Sequence, residues 1–156
     1  MTSPAYTIRQ ATPADAAIIT HHRSTMFADM RPTEPERLEA LRVAFLPWIQ
    51  TRLESGEYLG WLAETPEKQI VAGAGLWLID WPLDPQTLNP RRPYILNVYV
   101  EREHRRRGLA RRVVQAAVDY CREAGYRRVI LHASEEGRLL YETMGFVATR
   151  EMRLDL

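Results

Sequence analysis

The sequence predicts an α/β protein with one central sheet, on three observations. Apolar runs of strand length, YLGWLAE (58–64), QIVAGAGLWLI (69–79) and YILNVYV (94–100), follow two segments of helical period. Another helical segment, with Leu109, Ala110, Val113, Val114, Ala117, Cys121 and Ala124 at its apolar positions, separates YILNVYV from RRVILHA (127–133). A strand, a helix and a strand in that order read as a crossover unit. The chain also has 156 residues, 46% apolar and 26% charged, which favours a single domain over residues 1–156 with a sizeable core.

The elements follow in order. YTIRQA (6–11) alternates as a short strand. Thr12-Pro13-Ala14-Asp15 reads as a helix start, with Thr12 as N-cap, Pro13 at the first helical position and Asp15 three residues after the cap. That helix is expected over about 13–29, up to the breaker RPTEP. Leu38, Leu41, Phe45, Ile49 and Leu53 predict a second helix over about 35–54, kinked at Pro47. TPEK turns the chain between the first two long strands. The segment DWPLDPQTLNPRRP (80–93) contains four prolines and no periodicity, and is expected as a loop. GAGLWL (73–78) begins like a dinucleotide fingerprint, but Leu78 stands where the third glycine belongs. Its glycines read instead as a bulge or a close approach within a strand. Gly125 stops the crossover helix, a short helix is expected over about 135–144, and FVATREMRLDL closes the chain as one or two strands.

Composition removes several function classes. The formal net charge is +1, without the global basic field of a general nucleic-acid binder. Lys68 is the only lysine, so the basic residues are almost all arginine. Cys121 is the only cysteine, which excludes an intrachain disulfide and any multi-cysteine metal site. The amino terminus MTSPAYTIRQ lacks the apolar core of a signal peptide, and no apolar run approaches the ~20 residues of a membrane span. The expectation is a cytoplasmic protein with no metal, no nucleic-acid partner and no membrane association.

HRRRGLARR (104–112) sets five arginines around one glycine where a strand hands over to a helix. A charge run is ordinarily a solvated surface. Here the helix N-terminus offers unsatisfied amides and partial positive charge, which suit a phosphate. Glycine lets backbone approach the anion, consecutive amides form a concavity around it, and arginines pair with its oxygens. GxxxxGK[ST] is absent, so this is not a P-loop.

Arg105-x-x-Gly108-x-Ala110 resembles the [Q/R]-x-x-G-x-[G/A] signature of the GNAT superfamily of N-acetyltransferases. LNVYVEREHRRRGLA resembles that family's strand-then-loop phrase, LLYETMGF (139–146) its later LYEKLGF phrase, and IRQATPADAAII its first strand and helix. The close match covers about 94–148, whereas 20–93 match only in element order. The resemblance implies a twisted mixed sheet of about six or seven strands flanked by about four helices. It implies acetyl-coenzyme A as co-substrate and a small-molecule or peptide amine as acceptor; a homodimer is compatible with it.

By the same resemblance, the amides of Arg106, Arg107, Gly108, Leu109 and Ala110 hold the pyrophosphate, with Arg105 opening the signature. Val98, Tyr99 and Val100 line the pantetheine and acetyl group through main-chain atoms. Ser134 stands where many relatives carry Asn; a coenzyme contact there competes with its role as N-cap ahead of Glu135 and Glu136. Tyr141 matches the family's general acid toward the thiolate, against the alternative of a core tyrosine.

Acetyl transfer needs a neutral amine, a polarised carbonyl and a protonated leaving thiol. An amine of pKa near 10.4 is neutral about once in 2,500 at pH 7, a cost of about 4.6 kcal/mol. A strand amide left unpaired where two strands splay would polarise the carbonyl, which the resemblance assigns to Tyr99–Val100. A phenol is a weaker acid than a thiol by about 2 kcal/mol, so Tyr141 is expected mainly to hydrogen-bond the developing thiolate. For the base, His132 is a candidate on a strand whose two faces both read as buried. Asn97 orienting a water, and a water relay with no single base, are alternatives; Asn97 also has the reading of satisfying a backbone group. His21, His22 and Cys121 read as ordinary residues. Acceptor selectivity is expected from the first two helices and the 80–93 loop, where Asp80 and Asp84 would attract an amine beside Arg91 and Arg92. Trp77 and Trp81 either wall a pocket there or pack. The competing reading of the whole chain is a coenzyme A-binding module with little or no catalysis.

Overall fold

The computed structural model describes residues 5–156; residues 1–4, where part of the amino-terminal reading falls, lie outside it. Five strands, β1 (Thr7–Gln10), β2 (Tyr58–Glu64), β3 (Ile70–Asp80), β4 (Arg91–Val100) and β5 (Ile130–Leu131), form one sheet in that spatial order. β1 to β4 are antiparallel neighbours and β5 runs parallel to β4. Helices α1 (Ala16–Met30) and α2 (Pro35–Ser55) join β1 to β2, α3 (Leu109–Glu123) crosses from β4 to β5, and α4 (Glu135–Thr143) follows.

The helical stripes pack as their periods require. Leu109, Val113, Val114, Ala117 and Cys121 of α3 bury against Ala74, Leu76 and Ile95. On the opposite face, Ile19 of α1 and Phe45 and Ile49 of α2 close over Tyr58 and Leu62. At the entry to α1, the Thr12 amide donates to Asp15 Oδ2 at 2.7 Å, the expected capping contact, and Asp15 also receives both ends of the Arg9 guanidinium at 2.8 Å. α2 runs through Pro47, which lies on an exposed part of the helix together with Val43, the residue whose carbonyl loses its donor.

Four expectations need correction. β4 begins at Arg91 because Asp80↔Arg91 extends the hairpin, with an ion pair at 3.5 Å, and the loop shortens to 81–90. β5 has two residues, not seven, and residues 146–156 form no strand. The sheet therefore has five strands, fewer than expected. A closing strand needs an edge to pair with, and β5 offers only the width of Ile130 and Leu131; Val147, Met152 and Leu154 stay exposed. One expectation holds: a glycine pair in β3 is a close approach, as GAGLWL suggested. A Cβ on Gly75 would lie 1.7 Å from the Tyr58 hydroxyl, and one on Gly73 would lie 3.0 Å from His22 Nδ1.

Among the described residues, no helix is long and apolar enough to cross a membrane.

Candidate active site

The centre of the site is an interruption in β4. Gly73 pairs with Tyr99 but Gly75 pairs with Leu96, so Asn97 and Val98 together oppose Ala74. This is a β-bulge, and Asn97 takes the left-handed conformation, φ 55°, that asparagine tolerates best among residues with a side chain. On the other edge, the ladder to β5 ends at Ile95↔Leu131. From Leu96 to Val100, β4 has no strand partner on that side among the described residues. Val98, Tyr99 and Val100 thus lie along an open edge, with Val98 and Val100 facing α3.

β4 leads into a single helical turn (Arg102–His104) and then the arginine loop. Arg106 and Gly108 both have positive φ, 62° and 74°, which turns successive amides inward. Space for a Cβ on Gly108 is open, so its left-handed backbone, not crowding, is what favours glycine. The first bond into α3 comes from Arg112 N to Gly108 O at 3.2 Å. The amides of Arg106, Arg107, Gly108, Leu109, Ala110 and Arg111 have no acceptor among the described residues. Together with the start of α3 they make a concave row of donors suited to an anion.

Most of the arginine side chains serve the loop itself. Arg105 donates through Nε to Val100 O at 2.9 Å and through Nη2 to Asp29 at the end of α1. Arg102 reaches the same Asp29 at 3.1 Å, and the two guanidinium groups hold its carboxyl below the usual range. Arg107 and Arg112 bond the hydroxyl and carbonyl of Tyr6, and Arg111 bonds Thr143 on α4. Arg106 is exposed and makes no side-chain hydrogen bond among the described residues.

Tyr141 on α4 is half-buried, edge-on to Phe146 at 5.8 Å, and its hydroxyl has no partner among the described residues. Burial raises its pKa above the ordinary phenol value. Ser134 caps α4, its Oγ accepting from Gly137 N at 3.1 Å, as the competing reading required. His132 departs from expectation: it lies past the end of β5, its side chain is 60% exposed, and Nε2 pairs with Glu151 at 2.8 Å. Its strand is too short to enclose it. The ring stands edge-on to Tyr94 at 5.2 Å, at the foot of the opening between β4 and β5.

A second set of polar groups lies on the α1 and α2 face. Asn97 Nδ2 donates to the Tyr58 hydroxyl at 2.9 Å, and Arg23 Nη1 donates to Asn97 Oδ1 at 2.8 Å. Asn97 thus satisfies side chains, not backbone. Arg23 is sandwiched near Phe27 and Phe45, with ring centroids 5.0 and 5.1 Å from its guanidinium carbon. Closer to the loop, Tyr99 donates to Glu101 at 3.1 Å, and His21 Nε2 pairs with the same carboxylate at 2.8 Å. His22 is fully buried against Tyr99, its Nε2 has no partner among the described residues, and burial holds its pKa down at about 4.

The 80–93 residues lie elsewhere. Asp80 pairs with Arg91, six strand residues before Asn97, which is about 20 Å along β4. Asp84 Oδ1 accepts from the amides of Gln86 and Thr87 at 2.9 Å, capping its own turn. Trp77 packs on Trp48, and Trp81 lies under Arg92. Sequence reasoning missed Arg23, Asp29, Tyr58 and Glu101. The only signal for them was indirect: a strand glycine makes room for an aromatic on the neighbouring strand, and Asn97 is the one amide in an apolar run.

Comparison with known proteins agrees with this geometry. Residues 17–146 match the acetyltransferase (GNAT) family. Human N-acetyltransferase 8 is 34% identical over 92 residues, which make up 57% of this chain but 38% of that protein. The crystal structure of a GCN5-related N-acetyltransferase from Ralstonia eutropha JMP134 superposes with a TM-score of 0.89 at 34% identity, covering 97% of this chain and 99% of that one. A predicted acetyltransferase from Clostridium acetobutylicum, solved with acetyl-CoA, gives 0.84 at 26% identity over 97% and 96%. A loop of unclaimed amides at the start of α3, a bulged and one-sided β4, and a match across most of the chain lead to one conclusion: the chain belongs to the GNAT family of acetyltransferases.

Proposed function

We propose that the protein is an acetyl-CoA-dependent N-acetyltransferase in which a primary amine attacks the thioester directly. The observation that carries this reading is the row of unclaimed amides from Arg106 to Arg111, continuous with the open edge of β4. The pyrophosphate lies on that row and the pantetheine lies along Val98, Tyr99 and Val100. Acetyl-CoA in the Clostridium relative supports the choice of donor. An unpaired amide of the Tyr99–Val100 region polarises the thioester carbonyl. The amine adds to the carbonyl carbon, the tetrahedral intermediate collapses, and the C–S bond breaks with its electron pair on sulfur. Tyr141 donates a hydrogen bond to that thiolate. Its raised pKa makes complete proton transfer still more uphill, so the thiol takes its final proton from solvent.

The ammonium proton leaves through water to His132, whose Nε2 is held by Glu151 and whose Nδ1 remains to accept. Ser134 keeps its structural role as the cap of α4. Because the donor belongs to the coenzyme A pool inside cells, we place the protein in the cytoplasm. The test is free-thiol release from acetyl-CoA across a panel of amines, with mass spectrometry of the product. Acetylation of an amine nitrogen supports the reading. Tight coenzyme binding without turnover on any amine would make the protein a binding module.

A further inference from the structure

Arg23 is a charge that nothing in the described protein neutralises. On an open surface that would be unremarkable, because water solvates a guanidinium and a nearby carboxylate adds little. Arg23 is not on an open surface. Phe27 and Phe45 flank it, Nε is buried without an acceptor, and Nη1 is committed to Asn97. No carboxylate is among the groups that act on it, and burial pulls its pKa down. A half-buried cation without a counter-ion is unfavourable, and an apolar side chain between the same two rings would avoid that cost.

Nη2 is neither hydrogen-bonded nor buried, so one prong of the fork remains available. The position is equally informative. Asn97, which fixes Nη1, immediately precedes Val98 and Tyr99, and two strand residues span about 7 Å. We propose, on the acetyl-transfer reading above, that Arg23 binds a carboxylate carried by the acceptor, so that the acceptors are amino acids and related small amino-carboxylates. A planar monoanion matches one planar guanidinium and leaves no net charge between the two rings. A phosphate dianion would leave one charge uncompensated there. Phe27 also borders the recess between α1 and α2, where Leu38 and Leu41 offer apolar surface for the acceptor's side chain, with Arg31, Glu34 and Arg37 at its rim.

The test compares α-, β- and γ-amino acids with their amides, their decarboxylated amines and phosphoethanolamine, following thiol release from acetyl-CoA. The acids should exceed their amides in kcat/KM by about tenfold to a hundredfold, the range for a charged hydrogen bond. Arg23→Gln should raise KM for the preferred acid by a similar factor and bring acid and amide level, while coenzyme A Kd stays within about threefold. Arg23→Met, which keeps apolar packing between the rings, should behave alike. Amides or simple amines used as well as acids, or phosphoethanolamine preferred, would overturn the proposal. So would loss of coenzyme binding in both variants, which would assign Arg23 to packing of α1 on β4. Calorimetry of N-acetylated amino acids on the coenzyme A complex separates the two readings. Arg23-dependent binding without turnover on any amine would remove acetyl transfer and keep the anchor; turnover without acid preference would do the reverse.

Discussion

Tyr141 combines two properties that sequence alone could not join: a ring packed on Phe146 and a hydroxyl with no protein partner. If that hydroxyl bonds sulfur only as charge develops, its removal lowers kcat and spares ground-state binding. Tyr141→Phe should therefore reduce kcat by about 10²-fold, the lower end for a positioned acid, with acetyl-CoA Kd unchanged. The check is steady-state turnover and calorimetry on the same preparations; kcat within about threefold of the parent would leave Tyr141 as packing only. Gly108 tests the other end of the proposed coenzyme site. Gly108→Glu forces a side chain into left-handed backbone, at a cost of about 1–3 kcal/mol, and sets a negative charge among amides that await an anion. The variant should retain the circular dichroism of the parent and lose measurable coenzyme A binding. Undiminished affinity would move the phosphate site elsewhere. The glycine and the arginines around it were legible from their spacing. Which arginines are free was not, because Asp29, Tyr6 and Thr143 come from distant parts of the chain.

At the scale of elements, the bulge in β4 is built from the strand beside it. Tyr58 of β2 crosses β3 at Gly75, and its hydroxyl receives the Asn97 amide, while Arg23 of α1 holds the other end of Asn97. Three elements therefore fix one left-handed residue. Gly75→Ala would bring a methyl to 1.7 Å from a fully buried tyrosine that has nowhere to go. The expected loss is about 3 kcal/mol or more in denaturant unfolding, at the upper end for overpacking. A stability within about 0.5 kcal/mol of the parent would show that Tyr58 repacks freely. The close approach in GAGLWL was readable from its glycines, and Asn97 from its isolation in an apolar run. Their partnership needed the antiparallel register, which sets Gly60 against Gly75 and Tyr58 against Trp77 across β2 and β3.

For the whole molecule, His22 ties stability to pH. Burial lowers its folded pKa to about 4, from an ordinary value near 6.5, so the unfolded chain binds the proton between those limits and the folded chain does not. Stability should be unaffected by His22 above about pH 6.5 and fall by about 3 kcal/mol as pH drops toward 4. Asp15 and Glu64, lowered by Arg9, act in the same direction but only once carboxylates begin to protonate. Chemical denaturation between pH 4 and 7 on the parent and His22→Gln measures the difference. The variant should lose the upper part of the slope; parallel curves would mean that His22 takes up its proton in the folded state without penalty.

The order of the helices and of the first four strands, the crossover helix and the glycine–arginine turn at the start of α3 followed from local pattern: apolar period, glycine placement and caps depend on neighbours a few residues away. Tyr141 was singled out by resemblance to a family phrase instead. The length of β5, the exposure of His132 and the irregular tail were decided by the tertiary structure, because a strand exists only where another edge receives it. The polar line from Tyr58 through Asn97 to Arg23 was decided there too. Its residues are 35 to 74 positions apart, and whether an arginine is solvated or stranded between two phenylalanines depends on burial, which no spacing along the chain encodes.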